Sequence, residues 1–175
     1  MEFQELIMRR RSIRNYKEEP VEHGVLEEII RNAAMAPSWK NSQTCRCYVV
    51  ESPEMIGQFR ETLPSFNQRS SANAAYIVTT YVKDISGFTA GAPDNELGNA
   101  WGAYDLGLHD AYLVLAAADA GYDTLIMGLR DEEKIRQMLQ IPEEECIVSV
   151  IAVGKRASEP ALGKRKDLSE VAKFF

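Results

Sequence analysis

The run from Trp101 to Ala120 is apolar almost all the way round a helix, and it restricts the fold of this chain more than any other feature. Its heart, Leu106 to Ala118, is interrupted by His109 and Asp110 and is too short to cross a bilayer. The helix therefore belongs at the centre of a folded body. With 175 residues, 45% of them hydrophobic and 26% charged, the chain is long enough to supply that body as one compact domain spanning 1–175. Ala111, Ala116, Ala117 and Ala118 permit close backbone approach, so two coverings stand open: a helix enclosed by its own chain, or a helix at the core of a homodimer.

Periodicity fills in the rest. Phe3, Leu6 and Ile7 predict a short helix over 2–10 that runs into a basic segment, and Leu26, Ile29, Ile30, Ala33 and Ala34 predict a second helix, stopped by Pro37. Tyr48 to Val50 reads as a strand, Pro53 to about Leu63 as a helix, and Ala75 to Val82 as a strand of β-branched and aromatic residues. Residues 83–98, with four Gly or Pro, read as a surface loop. Beyond the long helix come a turn at Gly121, a strand over Thr124 to Met127, a helix over Asp131 to Leu139, a strand over Ile147 to Val153 and a basic arm. Alternating strands and helices imply a sheet with helical cover.

The chain carries a formal net charge of −6, unevenly spread. Residues 1–16 hold four arginines against two glutamates, and residues 154–175 hold six Lys or Arg against three acids, so the body between them is strongly acidic. The overall sign argues against nucleic acid as a partner. Two basic ends on an acidic body suit either two solvated tails or a shared small anion such as phosphate.

Several chemistries lack their usual signals. No GxGxxG follows a strand, and GxxxxGK[ST] and GxSxG are absent, which removes the usual support for Rossmann binding, P-loop hydrolysis and a nucleophile-elbow esterase. His23 and His109 are the only histidines and lack ligand spacing, so no metal is expected. Cys45 and Cys47 face one side of a strand, but with Cys146 they make three thiols, short of a zinc set and odd for disulfides. A reducing cytoplasm is the expected home, with no export signal and no membrane partner.

Two constellations remain. RRSIRNY, residues 10–16, places three guanidinium groups and a hydroxyl within five residues, a donor density suited to a phosphate and a conjugated ring edge, or to ion pairs with surface acids. In APSWKNSQ, residues 36–43, the amides of Asn41 and Gln43 donate and accept at once, as a heterocycle edge requires; an ordinary polar turn has the same composition.

Together with SFNQRSSANAAYIV (65–78), AAADAGYDTLIMG (116–128) and GKRKDLSEV (163–171), these segments resemble, in order and over nearly the whole chain, the nitroreductase family of FMN-dependent oxidoreductases. The resemblance implies an α+β fold with a central mixed or antiparallel sheet flanked by helices, in an intertwined homodimer with FMN at the subunit interface. It implies NADH or NADPH as electron donor and reduction of a small-molecule acceptor, a nitroaromatic, quinone or flavin, by ping-pong hydride transfer.

By the same resemblance, Arg10, Arg11, Ser12 and Arg14 grip FMN, with Arg10 and Ser12 toward the phosphate and ribityl chain and Arg14 toward the pyrimidine edge. Arg165 is the C-terminal phosphate arginine, with Lys164 as helper. Pro37, Ser38, Asn41 and Gln43 form a loop given to the partner's flavin, and Asn67 lies near the pyrimidine side. The backbone N–H of Met127, beside Gly128, meets flavin N5, and Arg14 and Met127 are the catalytic pair. Two departures stand out: Thr44 and Cys45 replace a frequent Pro-Trp, and Met127 replaces a frequent Glu. They leave room for a same-fold flavoenzyme of another reaction, such as a dehalogenase or a flavin-fragmenting enzyme, or for a flavin-binding redox module without turnover.

Overall fold

The computed structural model describes residues 2–175. After α1 (Phe3–Arg9) and α2 (His23–Ala33), the chain enters β1 (Cys45–Val50), α3 (Pro53–Arg60), α4 (Ser65–Ser70) and β2 (Ala75–Val82). A small hairpin, β3 (Phe88–Thr89) and β4 (Ala92–Pro93), precedes the long α5 (Ala100–Asp119). β5 (Asp123–Met127), α6 (Glu132–Leu139), β6 (Glu145–Gly154) and the short α7 (Leu168–Val171) complete the order.

Local chemistry sets several boundaries. Ser52 caps α3, its side chain accepting from the Met55 N–H at 3.3 Å, and Pro53 occupies the first turn, where its missing N–H costs nothing. Asp131 caps α6 by accepting from the Lys134 N–H at 3.2 Å, and Gln140 ends it in the left-handed region at φ 53°.

β1, β2, β6 and β5 form one sheet in that order, antiparallel throughout, with β2 and β6 in the middle. β2 is buried along all but its last residue, because both faces of the sheet are covered. Tyr76 and Val78 point to one side, where they meet Phe59 of α3 and Ile135 of α6. Ala75 and Ile77 point to the other, against Leu26, Ile29 and Ala33 of α2 and Leu113, Val114 and Ala117 of α5. The ladder slips between Thr79 and Thr80, pairing them with Ser149 and Ile147 and leaving Val148 as an extra residue on β6.

His109 and Asp110 break the apolar run of α5 where the sheet offers partners. Thr79 Oγ1 donates to Asp110 Oδ2 at 3.0 Å, Ser149 Oγ at 3.3 Å, and His109 Nδ1 lies 3.2 Å from Asp110 Oδ1. A buried carboxylate without such bonds would cost several kcal/mol, on the order of the burial penalty for an unpaired charge.

The helix is not enclosed by its own chain. One face buries Leu106, Leu113 and Ala117, whereas Tyr104 and Tyr112 on the other are 59% and 44% exposed. Other boundaries also move: the helix expected from Pro53 to about Leu63 stops at Arg60, with a separate α4 beyond it, and β1 begins at Cys45, before the expected Tyr48. The expected loop over 83–98 contains the two-residue strands of the hairpin. Among the described residues, no helix is long and apolar enough to cross a membrane.

Candidate functional site

The arginine-rich segment leaves α1 in extended form and lies along the outer edge of β5. Ser12 bridges Thr124 in parallel sense, and the Ile13 N–H donates to the Thr124 carbonyl at 3.0 Å. Ile13 and Tyr16, three residues apart, enter the core, and Ser12 and Arg14 stay outside. The C-terminal arm returns to the same place. Arg10, Arg11, Ser12, Arg14 and Arg165 line one cavity of about 250 Å³, closed by Pro160 to Gly163, and no carboxylate is among its lining residues. Burial first, then the charges of Arg165 and Arg11, hold the Arg10 guanidinium below the usual arginine range. The Arg11 Nε is buried without a hydrogen-bond partner. This is a cationic cluster with an unmet donor, and it fits a small anion. Lys164 is exposed and does not line the cavity.

A second cavity of about 250 Å³ adjoins it, lined by Arg14, Phe66, Asn67, Ser70 and the residues from Leu125 to Leu129, among them Met127 and Gly128. Arg14 lines both cavities and is held by its own segment, Nη1 donating to the Ser12 carbonyl at 3.1 Å. Asn67 is buried on α4 and donates to the Leu129 carbonyl at 3.0 Å, which ties α4 to the chain leaving β5. The Met127 side chain packs in the core, and Met127 and Gly128 are both among the residues lining the cavity. Phe66, Leu125, Ile126 and Leu129 are wall residues that sequence reasoning does not single out; finding them requires knowing where α4 packs.

The segment 36–43 stands apart. Pro37, Ser38 and Gln43 line a third cavity of about 320 Å³, between α2, β1 and α5, whose lining includes none of the segment 10–14 and not Arg165. Asn41 is exposed and lines none of the three. Lys40, Asn41 and Gln43 all have left-handed backbones, at φ 49°, 56° and 49°, a strain on the order of 1–3 kcal/mol per residue. The loop keeps this shape because the Trp39 N–H donates to buried Asp105 at 2.9 Å, Trp39 packs on Trp101 at 4.6 Å, and the Gln43 N–H donates to Ser38 Oγ at 3.0 Å. Within one chain, then, the loop and the arginine cluster do not share a cavity.

Cys45 and Cys47 also line the third cavity. Burial, then the charge of Asp110, pushes both thiols up to about 12, so they are neutral at physiological pH. Among the described residues, no group of three or more His, Cys, Asp or Glu could hold a metal ion.

A sequence model of the nitroreductase family matches residues 7–155. A Bacillus subtilis (strain 168) protein provisionally named NAD(P)H nitroreductase YdgI is 28% identical, over 99% of this chain and 97% of its own length. Iodotyrosine deiodinase 1 of Rattus norvegicus is 24% identical, over 97% of this chain and 68% of its own length. Among solved structures, a provisionally named nitroreductase from Exiguobacterium sibiricum 255-15, in complex with FMN, superposes with a TM-score of 0.86 at 22% identity, covering 100% of this chain and 98% of that one.

Proposed function

The chain belongs to the nitroreductase family of oxidoreductases, and on that premise we propose that it is a single FMN-binding domain that uses NADH or NADPH to reduce a nitroaromatic, quinone or flavin-type acceptor in ping-pong turnover. The observation that carries this reading is that Arg14 lines both the cationic cavity and the neighbouring one that holds Asn67, so an anionic tail and a planar ring edge find their partners side by side.

In this reading Arg10, Arg11, Ser12 and Arg165 hold the phosphate, and Lys164, on the exposed arm beside Arg165 and outside the cavity lining, is a helper. Asn67 and Arg14 serve the pyrimidine edge, and the backbone of Met127 and Gly128 serves N5. The unpartnered Arg11 Nε and the uncompensated charge around Arg10 are consistent with an anion there. When bound, FMN supplies the two-electron exchange between nicotinamide and acceptor. Arg14 is a cation fixed in advance, able to stabilise negative charge developing on the adjacent carbonyl edge without reorganisation.

A second copy completes the site by contributing Pro37, Ser38, Asn41 and Gln43. Support comes from the open face of α5. A Cβ at Gly107 would meet nothing within 4 Å, Tyr104 and Tyr112 are exposed, and a groove of about 690 Å³ between α1 and α5 is lined by Phe3, Leu6 and Leu115. The three cysteines are free, as a reducing cytoplasm would keep them.

The test is an absorbance spectrum of the purified protein, followed by stopped-flow mixing with NADH and NADPH. A bound flavin that bleaches and is reoxidised by a nitroaromatic or quinone supports the proposal; a colourless protein, or a flavin that stays oxidised, refutes it. The deiodinase relative favours a second reading, reductive dehalogenation. Release of iodide from iodotyrosine by the reduced protein, with no turnover of nitroaromatics, would replace the first reading with the second.

A further inference from the structure

We propose that Arg156 is the positioning residue that brings the two cationic ends of the chain to one anion; the proposal rests on the FMN reading above. Nothing in the arm itself aims it. From Ala157 to Lys166 there is no helix or strand, and most of these residues are exposed. The arginines it must join repel it: Arg165 approaches Arg10, Arg11 and Arg14 against their like charge. The direction must be fixed at the root, just beyond β6.

Arg156 sits at that root and touches three parts of the chain. Its Nε donates to Asp123 Oδ1 at 2.9 Å and its backbone N–H donates to Asp123 Oδ2 at 3.0 Å, so the carboxylate is held from two sides. Nη2 reaches the Arg9 carbonyl, the last residue of α1, at 3.2 Å. Nη1 pairs with Glu159, the first acid of the arm. Around it the backbones are stitched together: Tyr16 bridges Arg156, the Lys17 N–H donates to the Lys155 carbonyl, and the Ala157 N–H donates to the Asn15 carbonyl, both at 2.9 Å. Asp123 is followed by Thr124, whose carbonyl holds Ile13. One guanidinium and one carboxylate therefore anchor the N-terminal segment, the edge of the sheet and the arm.

Stability alone is a weak reason for such a pair. The Asp123 side chain is 4% exposed and that of Arg156 17%, so both are largely desolvated, and burial costs a charge pair about as much as attraction returns. Geometric specification is the better-supported use, because a fork of N–H donors fixes direction in a way that apolar packing does not.

The experiment compares binding of FMN and of riboflavin, which has the same ring and ribityl chain without the phosphate, in the full-length protein. Arg156→Lys keeps a cation opposite Asp123 but cannot reach Asp123, Arg9 and Glu159 together. The double variant Asp123→Asn/Arg156→Gln removes both charges and leaves no buried ion unpaired, should the single variant fold poorly. In both, FMN affinity is expected to fall roughly tenfold or more, the scale of one lost charge-assisted contact, while riboflavin affinity changes less than twofold. In an Arg165→Ala background the same substitutions should have little further effect, since the arm then has no guanidinium to deliver. Equal losses for both flavins, no loss for either, or full additivity with Arg165→Ala would overturn the role of Arg156. A wild-type protein that binds riboflavin as tightly as FMN would overturn the phosphate site itself, and the proposed function with it.

Discussion

Gly102 on α5 faces Tyr81 on β2 so closely that a Cβ at Gly102 would stand 2.3 Å from the ring's Cδ2. The ring is buried, and the contact lets the long helix lie against the sheet near its N-terminal end. Gly102→Ala should therefore destabilise the protein even though alanine is the better helix former. Helix propensity offers at most about 1 kcal/mol, and overpacking of a tight core contact costs about 1–3 kcal/mol. Urea unfolding of the variant should show a lower midpoint at unchanged slope; a midpoint equal to or above wild type would mean that Tyr81 moves aside freely.

Arg10, Arg165 and Arg14 should separate by phenotype. Arg10 and Arg165 line only the cationic cavity of the two, so Arg10→Ala and Arg165→Ala should chiefly weaken FMN binding, each by about 1.5–3 kcal/mol if a charge-assisted contact is lost. Arg14 also lines the neighbouring cavity, so Arg14→Ala should retain part of the FMN but lower its reduction potential and slow its reduction. Isothermal titration and a potentiometric titration decide this. Unchanged affinity and potential in all three variants would remove the site assignment.

The charge split by itself suits solvated tails as well as a shared anion, and only the family resemblance points both basic ends to one phosphate; Arg10 and Arg165 do line one cavity. The means of convergence is hidden, because Asp123 in DTLIM reads as the residue after a turn and Arg156 as one more cation of a tail. The long helix is legible from its apolar run. The fit of His109 and Asp110 within it depends on Thr79 and Ser149, which come from separate strands 31 and 39 residues away from Asp110. α4 escapes periodicity altogether, since the one large apolar residue of SFNQRS, Phe66, is 46% exposed and leaves no buried stripe to read. The loop 36–43 is visible as a polar break after Pro37, but its left-handed residues are held by Asp105 and Trp101, more than sixty residues downstream.

His23 gives stability a pH dependence near neutrality. Its Nδ1 lies 2.8 Å from Glu51 Oε1, linking the first turn of α2 to the end of β1, and Glu27 is on its other side. The bond to Glu51, then the charges of Glu51 and Glu27, raises the histidine above its ordinary 6.5. A folded-state value above the unfolded one means that the contribution is complete below about pH 6.5 and is lost as pH rises through the folded-state value. His23→Gln should flatten the decline of the urea midpoint as pH rises above about 6.5, the ordinary histidine value. Identical midpoint profiles for wild type and variant would show that the contact is too solvent-screened to matter.

The open face of α5 should respond to charge in a way that the rest of the surface does not. Tyr112 lies on that face beside Leu115 and the groove against α1, and a guanidinium there would be desolvated by a second copy but fully hydrated on a lone chain. Tyr112→Arg should accordingly leave the far-ultraviolet circular dichroism unchanged, shift sedimentation at micromolar concentration from dimer to monomer, and reduce FMN affinity on the order of tenfold or more, because the loop carrying Ser38 and Asn41 would be withdrawn. The loss of flavin should track the loss of dimer across protein concentration, since the second copy acts as a ligand by mass action. A wild-type chain that sediments as a monomer with its flavin still bound contradicts the two-chain site, and then Pro37, Ser38, Asn41 and Gln43 have no part in holding the cofactor.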